Sequence, residues 1–148
     1  VSVQAQIIRL IGDLQEKYGL TLVFIAHDLN VIRYVCDEVA VMYLGEIVER
    51  APVDDLFNDP YHPYTQALLG SVALPDPSKK VEGSAVIEGD VPSPIDPPNG
   101  CRFHTRCPEV MPECKRKKPE ITGRAREGDP EERAVSCHLY ERESTSEF

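Results

Sequence analysis

At 148 residues, 41% hydrophobic and 28% charged, the chain has ordinary globular composition, which argues against wholesale disorder and leaves room for one domain of modest size. Its 16 Lys and Arg stand against 25 Asp and Glu, a formal charge of -9, so diffuse attraction to nucleic acid or anionic lipid through net charge is disfavoured. No apolar run approaches the ~18 residues that suggest a membrane span, and no export leader pattern opens the chain, so the sequence reads as soluble and unexported.

The first residues already belong to an amphipathic pattern and the chain opens on Val1, so it reads as a fragment of something longer. Val3, Ile7, Ile11, Leu14 and Tyr18 recur every three to four residues, which predicts a helix packed on a core, stopped by Gly19. Residues 20–26 are a continuous apolar run rich in β-branched and aromatic side chains, which predicts a strand buried on both faces and hence a parallel sheet. His27 ends that run, where α/β sheets place their ligands, and Asp28 is placed to cap a short helix carrying Leu29, Ile32 and Val35. Residues 38–44 and 46–50 read as a hairpin turning at Gly45, residues 52–57 and 62–73 as short helices. The order helix, strand, helix, strand, strand is the trailing part of an α/β sheet.

The second half differs. Residues 75–100 hold six prolines, too many for a helix or central strand, and predict an extended linker. Residues 101–126 carry a local charge of +5 and residues 127–148 one of -5. Cys101, Cys107, Cys114 and Cys137 fall in this region, spaced by 5, 6 and 22 residues, in a module too small to build its own core. Disulfides, a structural zinc and an iron–sulfur cluster are the possible staples. A chain that reads as cytosolic disfavours disulfides, and the shortest gap of five residues is longer than zinc knuckles use. Cys107-Pro108 is the dipeptide that closes bacterial ferredoxin motifs. His104 and His138 could substitute in a zinc site, or lie beside the ligands or on the surface. Cys36 reads as a small buried hydrophobe, and Lys115, Arg116, Lys117 and Lys118 as a solvated basic face that could offset a cluster's negative charge.

The segment TLVFIAHDLNVIRYVCDEVAVMYLGEIVE at residues 21–49 resembles the nucleotide-binding subunits of ABC transporters just after their D-loop. HPYTQALL at residues 62–69, the proline linker, and CRFHTRCP at residues 101–108 narrow the resemblance to ATP-binding subunits of oligopeptide and dipeptide importers. The resemblance implies an α/β fold: the C-terminal part of a P-loop (RecA-like) ABC nucleotide-binding domain over residues 1–74. Linker 75–100, a small irregular cysteine-rich extension at 101–140 and a frayed tail at 141–148 follow. It implies that His27 is the switch histidine contacting the ATP γ-phosphate, and that Cys101, Cys107, Cys114 and Cys137 ligate a [4Fe-4S] cluster, with zinc as the alternative. It also implies a second ATP-binding subunit and transmembrane permease subunits as partners, a peptide-binding protein indirectly, no nucleic acid, and a cytoplasmic place on the inner face of the membrane.

The chain lacks the Gly-x4-Gly-Lys-Ser/Thr loop that cradles phosphates, since the only glycines at that spacing, Gly123 and Gly128, precede Asp129. ATP and magnesium are therefore expected only in a full-length subunit, and these residues alone are expected to be inactive. A rival expectation is a non-catalytic, metal-stapled module that binds a protein or nucleic acid through its basic run.

Overall fold

The computed structural model describes residues 3–71, 87, 89–123, 126, 128 and 133–141. Predicted features at 72–86 and 142–148, including the end of the second short helix, half of the linker and most of the tail, lie outside these. By compactness the chain forms two units, Val1–Asp37 and Glu38–Phe148.

In the first unit, the 3.6-residue pattern forms α1 (Val3–Tyr18), and Gly19 at φ 60° ends it, a left-handed conformation that glycine adopts without a Cβ clash. Then α2 spans Leu29–Val35, with Asp28 at its N-cap: the Asn30 amide donates to the Asp28 carboxylate at 3.0 Å. The residues between take no regular secondary structure and form no strand, contrary to the sequence expectation. Val23 is 90% and Ile25 93% exposed, and no described side chain of residues 3–37 is buried. A helix satisfies its amides within itself, whereas a strand needs a neighbour to supply its hydrogen bonds, and among the described residues no strand pairs with residues 20–26.

The second unit is built on a hairpin of β1 (Glu38–Tyr43) and β2 (Glu46–Pro52). Leu44 and Gly45 both have positive φ, the two-residue turn that matches strand twist. The hairpin leads into α3 (Val53–Asn58) and α4 (Pro63–Gly70). Two-residue strands β3 (Thr122–Gly123) and β4 (Ala134–Val135) complete a sheet in the order β1-β2-β4-β3, and α5 (His138–Glu141) follows. Every strand pair described is antiparallel, so the expected parallel pairing is absent among the described residues. Strand β1 alternates exposed and buried along its length, with Val39, Val41 and Tyr43 inward. Leu56, Tyr61, Phe103, Val135 and Cys137 from later elements are buried as well, and the Phe103 ring packs edge-on against that of Tyr43 at 5.2 Å.

A register shift between Val41 and Met42 makes Val48 the extra residue of a β-bulge, since Glu49 faces Val41 and Ile47 faces Met42. Glu49 thereby shares the inward face with Val39, Val41 and Ala51 and is fully buried, while Ile47 is turned outward and remains exposed.

Candidate functional site

His27 stands at the foot of α2, immediately before its cap, and its side chain is exposed. Both imidazole nitrogens can serve as hydrogen-bonding groups toward a ligand, so the residue suits a role as donor to an anionic oxygen. Cys36 is the C-cap residue of α2 and half-buried rather than fully inside; burial and then the Asp37 charge raise its thiol pKa, which keeps it protonated and inert.

In the second unit, the HPY segment packs rather than reacts. His62 is the N-cap of α4: its Nδ1 accepts the Tyr64 amide at 3.0 Å, and Pro63 takes the first helical position, where no amide is needed. Burial depresses the His62 pKa to about 4, so the ring is neutral with its proton on Nε2. Below it lies Glu49, whose carboxylate accepts the backbone amides of Tyr61 at 2.8 Å and His62 at 2.9 Å. Burial raises the Glu49 pKa against the opposing pull of those amides and the Arg133 charge. Arg133, itself buried, holds a guanidinium nitrogen 3.9 Å from Glu49, stacks over the Tyr61 ring at 3.4 Å and donates to the Asp59 carbonyl. Tyr140 stacks on Tyr61 at 4.9 Å and donates its hydroxyl to the Tyr61 carbonyl at 3.2 Å. Sequence reasoning missed this Glu49–Arg133 centre. Its only signals are an acid inside an apolar strand and an arginine within the acidic stretch.

The fold does gather the four C-terminal cysteines. Cys114, in a 3-10 turn over Glu113–Lys115, accepts the Cys101 amide at 2.8 Å. Gly100, at φ 74°, allows this approach, because a Cβ there would lie 2.3 Å from the Cys114 carbonyl oxygen. Burial raises the Cys101 pKa, pushes Cys107 up to about 11 and Cys137 up to about 12, with the neighbouring cysteines adding to the rise. All five cysteines are free thiols.

Here the metal expectation is corrected. Among the described residues no group of three or more His, Cys, Asp or Glu side chains is arranged to hold a metal ion. The iron–sulfur assignment of Cys101, Cys107, Cys114 and Cys137, and its zinc alternative, are not supported. The basic run therefore has no cluster charge to offset, and the rival metal-stapled module loses its support. The flanking histidines have other work. His138 is buried, donating from Nε2 to the Lys117 carbonyl at 2.8 Å with Nδ1 2.6 Å from the Glu141 carboxylate. Burial works to raise Glu141, but the bonds from His138 and the Glu120 amide outweigh it and hold the carboxyl below its ordinary pKa. His104 turns its Nδ1 to the Cys101 carbonyl at 2.8 Å.

Arg102 reaches across to the hairpin. It donates to the Leu44 carbonyl and pairs with Glu46 at 2.8 Å, a carboxylate that Lys118 also holds at 2.8 Å. These contacts fasten the left-handed Leu44 that the tight turn requires. No described helix is long and apolar enough to cross a membrane.

Residues 48–114, which run from the bulge through the HPY helix to the third cysteine of the group, match the family described as oligopeptide/dipeptide transporter, C-terminal region. The oligopeptide transport ATP-binding protein OppF of Salmonella typhimurium is 47% identical over 141 residues, 93% of this chain and 40% of its own length. OppF of Escherichia coli is 46% identical over 138 residues, again 93% of this chain and 40% of its length. YkfD of Bacillus subtilis is 45% identical over 148 residues, 99% of this chain and 44% of its own. The chain thus spans less than half the length of these curated relatives, and it belongs to the family of ATP-binding subunits of peptide ABC importers.

Proposed function

We propose that this chain is the C-terminal portion of a subunit that couples ATP hydrolysis to peptide import. The observation that carries the proposal is similarity at 45–47% identity, along nearly the whole chain, to proteins named for oligopeptide transport and ATP binding. Residues 1–74 are the trailing part of the ATPase domain, 75–100 a linker and 101–140 an extension. The partners are a second ATP-binding subunit and permease subunits in the membrane, with a peptide-binding protein acting through them, and the place of action is the cytoplasmic face.

The 148 residues contain no glycine-rich phosphate loop, so they do not by themselves fit ATP and magnesium, and no hydrolytic step is assigned to this chain alone. Its contribution is His27. An exposed imidazole at a helix entry can donate a hydrogen bond to the terminal phosphate and orient the attacking water. In a whole subunit, His27→Ala is expected to lower the ATPase turnover number about 10²-fold or more, with a smaller change in nucleotide affinity, as for a donor whose contact tightens in the transition state. Unchanged turnover would show His27 to be a bystander. The 148-residue chain alone is expected to show no ATPase activity above a buffer blank.

A further inference from the structure

On the second unit, Met42 of β1, Ile47 of β2 and Ile121, just before β3, are exposed apolar side chains that line one groove of about 900 Å³ together with Glu46, Lys118 and Glu120. Met42 and Ile47 are register partners across the hairpin. Ile47 is turned outward by the bulge at Val48, and bulges recur where a strand re-aims a side chain beside a functional site. The opposite wall, formed by residues 118–121, is tied to the sheet at two points. Ser136 donates from its Oγ to the Pro119 carbonyl at 3.0 Å, and the Lys118 ammonium holds the Glu46 carboxylate at 2.8 Å. Between the walls the sheet has a gap. β4 pairs with β2 only at Glu49 and Arg50, and the Ser136 amide donates to the Val48 carbonyl at 2.9 Å, so among the described residues no strand beyond β1 lies beside Glu46 and Ile47. An extended chain adds to such an edge through its backbone, while apolar pockets beside the edge take its side chains.

Charge narrows the occupant. Lys118 and Arg102 share the single Glu46 carboxylate, which leaves the trio positive, and the Lys118 ammonium, 61% exposed, has more protons to donate than that one pair uses. Glu120, in the same groove, brings an acid of opposite sign. A simple aliphatic anion would meet that acid unpaired, whereas a zwitterion with an aliphatic side chain finds a partner for each charge. The volume is in the range of small-ligand sites. We propose that this groove binds a short free peptide, its aliphatic side chain against Met42, Ile47 and Ile121 and its carboxylate on Lys118. The choice of a peptide rests on the import reading above, because import releases peptides on the side where this subunit stands.

The test is an amide NMR titration of the isotope-labelled 148-residue chain with the tripeptide Ala-Leu-Ala. Saturable shifts of the Met42, Glu46, Ile47 and Ile121 amides are expected, with a Kd of about 1 mM or tighter. Ile121→Asp changes an exposed position and puts a charge on the apolar floor, and it should weaken binding about tenfold or more. Amidating the peptide's carboxylate should weaken binding several-fold in the parent and make no difference in Lys118→Gln. The proposal is overturned if those amides show no saturable shift, if Ile121→Asp binds as tightly as the parent, if triglycine binds as tightly as Ala-Leu-Ala, or if amidation weakens parent and Lys118→Gln alike. ATPase assay of a whole subunit decides the import reading separately: a subunit that hydrolyses ATP while its groove takes no peptide refutes the site and leaves that reading standing.

Discussion

Residues 3–37 and the unit that begins at Glu38 start from comparable apolar patterns and reach different ends. The first has two helices and a continuous apolar run between them but buries no described side chain. The second, among its described residues, closes twelve apolar side chains, from Val39 to Cys137, into its core. The difference lies in where partners come from. In the second unit, hairpin, HPY helix and cysteine-bearing turns supply one another's missing faces and hydrogen bonds. In the first, the stripe of α1 and the run at 20–26 specify which side chains should be covered without supplying the cover.

The sharpest way to break this contrast is to remove the charge at the centre of the second unit. Arg133→Ala would leave the Glu49 carboxylate buried without its cation and is expected to cost about 3–5 kcal/mol, read as a shift in the denaturant midpoint of the tyrosine signal. Loss below 1 kcal/mol would mean that the two backbone amides alone satisfy Glu49.

A pH titration sharpens the same point. The folded-state pKa of His62, about 4, lies below its ordinary 6.5, so between those values the unfolded chain binds the extra proton and acid favours unfolding. The His62 contribution is complete above about pH 6.5 and falls as pH drops toward 4, by up to about 3 kcal/mol. Glu49 works in the opposite sense: its raised folded pKa means the fold keeps a proton that the unfolded chain has lost above about 4.5, which offsets part of the acid loss. His62→Asn retains a capping oxygen without the titration, so its stability should depend less on pH over this window. An unchanged pH profile would show that His62 is not the group responsible.

Gly100→Ala probes the contact on which the cysteine-bearing turns depend. At φ 74° and with 2.3 Å between the added Cβ and the Cys114 carbonyl, the substitution must displace backbone and break the Cys101–Cys114 hydrogen bond. A loss of about 1–3 kcal/mol is expected, measured by the same denaturant titration.

How much of this was legible in the sequence follows from the range of each interaction. The helix at α1, the Asp28 cap and the hairpin are local, resting on periodicity or on a few consecutive residues, and the sequence reading placed them within two residues. The strand expected at 20–26 depends on neighbours elsewhere, and there a continuous apolar run was read as if its partners were present. Glu49 was missed because a single bulge at Val48 decides which face it takes, and no pattern of period two can show an irregularity. The family resemblance was visible in the HPY and CRFHTRCP segments. The cysteine spacing misled for a different reason: it reports which thiols can meet along the chain, but not whether three or more side chains converge on one point, and among the described residues none do.

The smallest expected effect tests the first unit directly. If residues 20–26 have no partner in this chain, Val23 and Ile25 gain nothing from being apolar, since each is already about as exposed as in the unfolded state. Ile25→Ser and Val23→Ser should then shift stability by less than about 0.5 kcal/mol, as for ordinary surface positions. Val41→Ser, in the core of β1 at 6% exposure, should cost several times more, because it loses buried apolar area and leaves a hydroxyl facing Glu49 and the hairpin core. In a whole subunit the asymmetry should vanish: if the rest of the relatives' length covers the run, Ile25→Ser becomes as damaging as Val41→Ser. Equal cost for the two substitutions in the 148-residue chain would instead mean that residues 20–26 find a partner within it, and that the two units are not as different as their burial indicates.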